Sequence, residues 1–432
     1  MGTDTEKKIL TTRIFGADRT SLQLWCRTGI LFFLAIYISQ IPFPKDNASV
    51  KSLSLAAVAV LWLARLILEK RFNFARTRLW WPLMIFSLIT VFSVISSIDV
   101  DYSLKNIKKY TFISGFLYFA IVNNVQDLKD VKILLLALMI SAGVFSLLAL
   151  IDYSLFEQTF GSRLRFRYLD KNLGRFSKFY DLVIPINLTL IFVTKDNLNK
   201  ILITLAHLLS ITTILLMQMR GSYVVIFLAI LAIAFVYRKK LFVFILILPF
   251  FIAIMMPSNM ATRAQEMFKF GDYLKSDGVL NYRIDTWKGA VRIIKGNPVL
   301  GLGRGKSNFG ETAKKFDDLK IPYDHAHNTY LQIAVELGLV GLMAFLWLFG
   351  SVFYHGFKCY MSLPRNDEKT ILIFGILCGV GALFAHGFIA HFYKHESFYM
   401  LWVTVALLFV LIRENSEKID SEIHEETEVL SR

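Results

Sequence analysis

Residues 132–152 read KILLLALMISAGVFSLLALID, a stretch charged only at its two ends. A helix rises 1.5 Å per residue, so about 20 such residues cross a hydrocarbon core of roughly 30 Å. The stretch therefore reads as a membrane-spanning helix, and the rest of the chain repeats the pattern. Apolar runs occupy 26–43, 52–69, 79–98, 109–125, 132–152, 179–194, 200–217, 221–238, 241–257, 329–354, 370–391 and 397–412. The expectation is an all-α integral membrane protein with about 12 transmembrane helices. The sixth run carries Asp181, Pro185 and Asn187. Polar residues of that kind inside a span face a cavity or another helix.

Composition supports the same class. Of 432 residues, 55% are apolar and only 19% charged, and Phe alone contributes 38. A soluble chain of this length would need far more charge to cover its domains. The formal charge of +15 invites a nucleic-acid reading. The basic residues, however, sit in short clusters between apolar runs, as cytoplasmic loops do, so no nucleic-acid partner is expected. Cys26, Cys359 and Cys378 lie in or beside spans or in a turn, which predicts neither a disulfide nor a cysteine metal site. The first 20 residues are polar and the first apolar run leads into further spans, so no cleavable leader is expected.

Charge sets the orientation. Lys7, Lys8, Arg13 and Arg19, then Lys70, Arg71, Arg76 and Arg78, then Arg238, Lys239 and Lys240, then Lys358, Arg365 and Lys369 all fall on one face of the alternation. That face is expected to be cytoplasmic. The chain then divides into a cytoplasmic N-terminal segment (1–25), spans one to nine (26–257), a large periplasmic loop (258–328), spans ten to twelve (329–412) and a solvated acidic cytoplasmic tail (413–432). Both termini are placed inside. Within the first block of spans, the outer loop 153–178 breaks the charge rule with Arg163, Arg165, Arg167, Lys171, Arg175 and Lys178. These side chains either meet water and lipid headgroups or receive an anionic substrate, a task suited to the planar guanidinium fork.

The long loop is too large for an idle connection. Its segment NYRIDTWKGAVRIIK (281–295) puts Ile284, Trp287, Val291 and Ile294 on one stripe and Lys288, Arg292 and Lys295 opposite. It reads as an amphipathic helix on the membrane or over a cavity, with Arg283 in its first turn and Gly296-Asn297-Pro298 as its stop. Gly301-Leu302-Gly303-Arg304-Gly305-Lys306-Ser307 is one residue short of a phosphate-cradling loop and follows no strand. No nucleotide is expected there; the glycines predict a tight turn whose amides can approach a ligand.

The stretch Asp324-His325-Ala326-His327-Asn328-Thr329-Tyr330-Leu331-Gln332 carries the chemistry. Thr329 to Gln332 matches a helix capping box ahead of an apolar run, which sets His327 at the outer mouth of a span. A helix N-terminus and nearby arginines disfavour the imidazolium, and a neutral imidazole is what a general base must be. A hydrogen-bonding loop histidine is the plainer reading. Two histidines at i, i+2 without further ligands nearby do not predict a metal. Arg220, in the short outer turn Met219 to Ser222, either snorkels to the interface or holds a phosphate near the membrane plane.

Together these residues resemble the O-antigen ligase and polymerase superfamily. Its pattern is His followed by Asn, nine residues, then Gly-x-x-Gly at a span start. Here His327-Asn328 precedes Thr329 to Leu337 and then Gly338-Leu339-Val340-Gly341. Arg283 with Trp287, the Asn297-Pro298 turn, Gly301-Leu302-Gly303 and Arg220-Gly221 are similar to its other motifs.

The resemblance implies a class C, metal-independent, inverting glycosyltransferase without a cofactor, in the bacterial inner membrane. It would move a glycan from undecaprenyl diphosphate to lipid A–core on the periplasmic face. His327 would be the general base, and Arg220 and Arg283 would hold the donor diphosphate. Arg163, Arg165, Arg167, Arg175, His325 and Glu396 are further substrate-binding candidates. The last outer turn departs from the pattern, with His391, His395 and Glu396 where some relatives carry an Asp. Polymerase and protein O-oligosaccharyltransferase activities remain open within the superfamily. A polyprenyl-glycan flippase is the alternative outside it, though no internal repeat supports one.

Overall fold

Hydrocarbon offers a backbone no hydrogen-bonding partner, so each spanning segment must satisfy itself as a helix. The computed structural model describes residues 19–43, 48–69, 74–155, 176–255, 279–392 and 396–430, and among these every regular element is helical. In order they are α1 (Arg19–Gln40), α2 (Ala48–Glu69), α3 (Trp80–Phe92, continued by a 3-10 turn), α4 (Val100–Asn106), a π-helical turn (Ile107–Phe112) and α5 (Ile113–Asn124). Then come α6 (Leu128–Leu155), α7 (Ser177–Val193), α8 (Asn197–Leu216), α9 (Arg220–Tyr237) and α10 (Lys239–Met255). The remainder is α11 (Val279–Gly296), α12 (Lys306–Ala313), α13 (Thr329–Ser362), α14 (Glu368–His386) and α15 (Glu396–Leu430).

Eight helices, α1, α2, α6, α8, α9, α13, α14 and α15, are long and apolar enough to cross a bilayer. The chain is a multi-pass, all-α integral membrane protein. The other four expected spans fall on α3, on the π turn with α5, on α7 and on α10, which are shorter or interrupted.

α7, α13, α14 and α15 form the centre of the bundle. Almost every residue of α7 is buried, including Asp181, Asn187 and Thr189. Lipid tails are as apolar as leucine, so helices associate through close packing rather than hydrophobic transfer. Gly379 of α14 shows the effect: a Cβ there would stand 2.6 Å from the Leu182 carbonyl oxygen of α7. One end of the bundle is tied by ion pairs, Arg27–Asp130 at 2.5 Å and Lys369–Glu414 at 3.2 Å among them. The candidate chemistry gathers at the other end.

Several local expectations change. α13 runs to Ser362 across a break at Gly338 (φ 69°, ψ −177°), beyond the expected end of its span, and α15 continues as a helix to Leu430. The buried stripe of α11 is Thr286, Gly289, Ala290 and Ile293; Val291 is exposed, and Ile284 and Trp287 are half-buried. Small residues decide that face, because a Cβ on Gly289 would come within 2.5 Å of Ile321 Cδ1. Ala290 and Ile293 pack with Leu302, Phe309, Ala313, Ala326 and Val335, a satellite core that fixes α11 and α12 against the start of α13.

The glycine turn is packed against other segments of the protein. Gly301, Gly303 and Gly305 have φ of 68°, 84° and 141°, the left-handed range that glycine alone enters without cost. What the turn approaches is the break in α13: Leu302 N donates to Val335 O at 2.8 Å, and Leu339 N donates to Pro298 O at 2.7 Å.

Candidate functional site

The N-cap of α13 is Asn328, one residue before the expected Thr329. Asn328 Oδ1 accepts from Tyr330 N and Leu331 N at 2.9 and 3.0 Å. Thr329 is unavailable as a cap because the segment after α14 claims it. Its amide donates to Gly387 O at 2.8 Å, and its hydroxyl donates to Ala390 O at 2.9 Å. Asn328 Nδ2 also donates to Phe388 O at 3.0 Å. The backbone just past His327 is therefore bolted to the end of α14.

The backbone just before His327 is gripped from both sides. Ala326 N donates to Gln332 Oε1 at 2.8 Å, and Ala326 O accepts from Trp287 Nε1 at 3.0 Å. Gln332 Nε2 donates to Glu336 Oε1 at 2.8 Å, and Glu336 pairs with Arg304 at 3.7 Å, both side chains fully buried. Gln332 thus does not reach back to complete a capping box; it holds the histidine loop.

Between these anchors His327 has φ 49°. A left-handed non-glycine residue costs of order 1–3 kcal/mol and persists only where its surroundings enforce it. Its ring meets Tyr323 edge-on at 4.2 Å and His325 at 4.1 Å. His325 in turn hydrogen-bonds Asp324 through Nδ1 at 2.7 Å and lies 5.6 Å from the His391 ring. Partial burial, then the charges of His325, Arg283 and Lys178, push the His327 pKa down to about 3, against a smaller opposite pull from Asp324. The imidazole is neutral across the physiological range.

Arg283 and Lys178 are thus brought to His327 from α11 and the start of α7. The Arg283 Nε–H is buried with no hydrogen-bond partner, an uncommon state for a guanidinium and one that an anion would relieve. Arg220 opens α9 at the same end. Gln218 (φ 53°), the other non-glycine residue with positive φ among those described, reverses the chain just before it. A helix start and a guanidinium together favour an anion.

Residues 205–346 match the model of the O-antigen ligase family. That span holds Arg220, Arg283, His327, Asn328, Gly338 and Gly341, the residues on which the sequence resemblance rests. The exopolysaccharide production protein ExoQ of Rhizobium meliloti (strain 1021) is 28% identical over 113 residues, 25% of this chain and 25% of that protein. An uncharacterized protein of Haemophilus influenzae (strain ATCC 51907 / DSM 11121 / KW20 / Rd) is 29% identical over 119 residues, 26% and 30% of the two chains. The alignments cover under a third of the length of these relatives. The O-antigen ligase match takes in residues 205–346 and the ExoQ similarity a quarter of the chain, so the likeness to polysaccharide ligases and polymerases rests on that part.

The O-antigen ligase motifs account for part of the site. His327, Arg283 and His325 come together, and Arg220 joins them at the same end through the contacts of α14. Arg163, Arg165, Arg167 and Arg175 lie outside the described residues, as does the side chain of Glu396. Lys178, the described member of that basic cluster, lies near enough to His327 for its charge to lower the imidazole pKa. Sequence reasoning passed over Glu336 and Arg304; an acid inside an apolar span was the available signal, since such groups face the protein interior. Among the described residues, no group of three His, Cys, Asp or Glu could hold one metal ion.

Proposed function

We propose that this protein transfers an O-antigen-type polysaccharide from undecaprenyl diphosphate to a hydroxyl of lipid A–core, at the membrane face where His327 lies. One observation carries the reading: a neutral histidine held beside Arg283, whose buried Nε–H lacks a partner. In this scheme the acceptor hydroxyl oxygen forms a bond to the anomeric carbon as the bond from that carbon to the diphosphate oxygen breaks. The electron pair leaves with the diphosphate, and the hydroxyl proton passes to His327. A single displacement inverts the anomeric centre. Arg283, Lys178 and Arg220 stabilise the charge that grows on the leaving group, the kind of electrostatic help that dominates many enzymes. The diphosphate is a good leaving group, so the scheme needs no metal. The enzyme would work in the bacterial inner membrane with its site toward the periplasm.

A second reading is a polymerase with the same chemistry, in which the acceptor is another lipid-linked glycan. The similarity to a protein named for exopolysaccharide production favours it. Purified protein with a lipid-linked glycan donor, a chelator, and either lipid A–core or a second lipid-linked glycan distinguishes them. Transfer to lipid A–core supports the ligase, and chain extension alone supports the polymerase. Activity that disappears on chelation overturns the metal-free scheme. No transfer to either acceptor points to a protein acceptor or to a flippase.

A further inference from the structure

His386, the last residue of α14, is bonded toward both halves of the candidate site. Its Nδ1 meets Asp181 Oδ2 of α7 at 2.5 Å, with side-chain exposures of 5% and 0%. Ser222 Oγ lies 3.4 Å from the same nitrogen. A Cβ on Gly221 would stand 2.7 Å from His386 Nε2. The turn that carries Arg220 is therefore seated directly on the imidazole, and glycine is what allows it so close. Immediately after His386, the carbonyls of Gly387, Phe388 and Ala390 take up Thr329 N, Asn328 Nδ2 and Thr329 Oγ1, next to His327.

Asp181 fixes that seat. A buried carboxylate–histidine pair is a weak stabiliser, since desolvation offsets most of its attraction. Here the second carboxylate oxygen, Oδ1, is buried and has no hydrogen-bond partner, which weakens it further. What the pair does supply is geometry: the ring cannot turn while Asp181 holds Nδ1. We propose that the Asp181–His386 pair is a positioning element that sets the Arg220 turn at a fixed distance from His327. The two do not touch substrate. Asp181 orients the imidazole, the imidazole carries Gly221 and Ser222, and the backbone beyond His386 carries Asn328 and Thr329.

This inference rests on Arg220 as a donor-diphosphate group, and a double-mutant cycle separates the two claims. The readout is affinity for farnesyl diphosphate in detergent micelles, for full-length protein whose folding is checked by thermal melting. Arg220→Ala is expected to weaken binding about tenfold or more, as loss of a charged hydrogen bond does. Asp181→Ala is expected to weaken it about tenfold by misplacing that group, with Asp181→Asn falling between Asp181→Ala and the wild type. In the Arg220→Ala background, Asp181→Ala should add less than about a twofold loss, because the group it positions is gone. In an Arg283→Ala background the two losses should multiply.

A pair with only a structural role would multiply with both arginine variants, and that result overturns the proposal. If Arg220→Ala leaves binding unchanged, the donor reading of Arg220 fails and the proposal fails with it. If Asp181→Ala alone leaves binding unchanged while Arg220→Ala weakens it, the proposal fails and the reading stands. Should Asp181→Ala not fold, His386→Gln carries the same cycle with the same outcomes.

Discussion

The carbonyl oxygen of Pro298 accepts a hydrogen bond from the amide of Leu339 at 2.7 Å, across the break in α13. The break frees backbone groups that a straight helix would pair, and the loop at 298–302 takes them, with Leu302 N on Val335 O. The spacing His-Asn, nine residues, Gly-x-x-Gly has a physical meaning here. Its first glycine is the point where the loop docks, about two and a half turns along the helix that His327 precedes.

That docking predicts a severe effect of Gly338→Ala. The position has φ 69°, and a Cβ would stand 2.0 Å from the Val299 carbonyl oxygen. Backbone against backbone cannot yield, so the variant should lose more than the ~1–3 kcal/mol of a strained residue alone. A fall in melting temperature in detergent, together with loss of transfer, is expected; a wild-type melting curve would show that the loop is not held there.

Arg304 and Glu336 make a second prediction. Both are fully buried; removing one member of a buried ion pair costs about 3–5 kcal/mol, whereas replacing both by apolar groups is often tolerated. Glu336→Leu should lower the melting temperature, and Arg304→Met with Glu336→Leu should recover part of the loss. A double variant less stable than Glu336→Leu alone would contradict this.

Arg283 should not be replaceable by lysine. Its unpartnered buried Nε–H suits a forked contact with a diphosphate, which a point-like ammonium cannot reproduce. Donor affinity should fall about tenfold or more in Arg283→Ala, with Arg283→Lys restoring less than half of that loss on a logarithmic scale. Equal affinity in Arg283→Lys and wild type would reduce Arg283 to a source of charge.

The pH dependence follows from the causes acting on His327. A base works unprotonated, so activity is present above its pKa and lost as pH falls through it. In the free protein that pKa is about 3, held down by burial and then by His325, Arg283 and Lys178. A bound diphosphate offsets the last two and raises it. The acid limb of kcat/KM for the donor should therefore lie at lower pH than the acid limb of kcat. Coincident limbs in a full pH–rate profile would show that the donor does not sit against these cations.

The membrane class and the positions of most helices were legible because lipid imposes one requirement, a long apolar helix, on every span. The candidate base and two arginines were legible through a short ordered set of motifs. Contacts between distant segments were not. The cap moved from Thr329 to Asn328 because residues 387–390 claim Thr329. The buried face of α11 shifted because Gly289 and Ala290 let it approach Ile321. Asp181 and His386 are 205 positions apart, and nothing local in either neighbourhood names the other.

The most direct test is single-turnover transfer by His327→Ala with a lipid-linked glycan donor bound at saturation. As the base, His327 should contribute roughly 10²–10⁴-fold to the transfer rate and little to donor affinity. The account predicts a loss of that size with donor binding within about twofold of wild type. A transfer rate near wild type in a folded His327→Ala protein would contradict it.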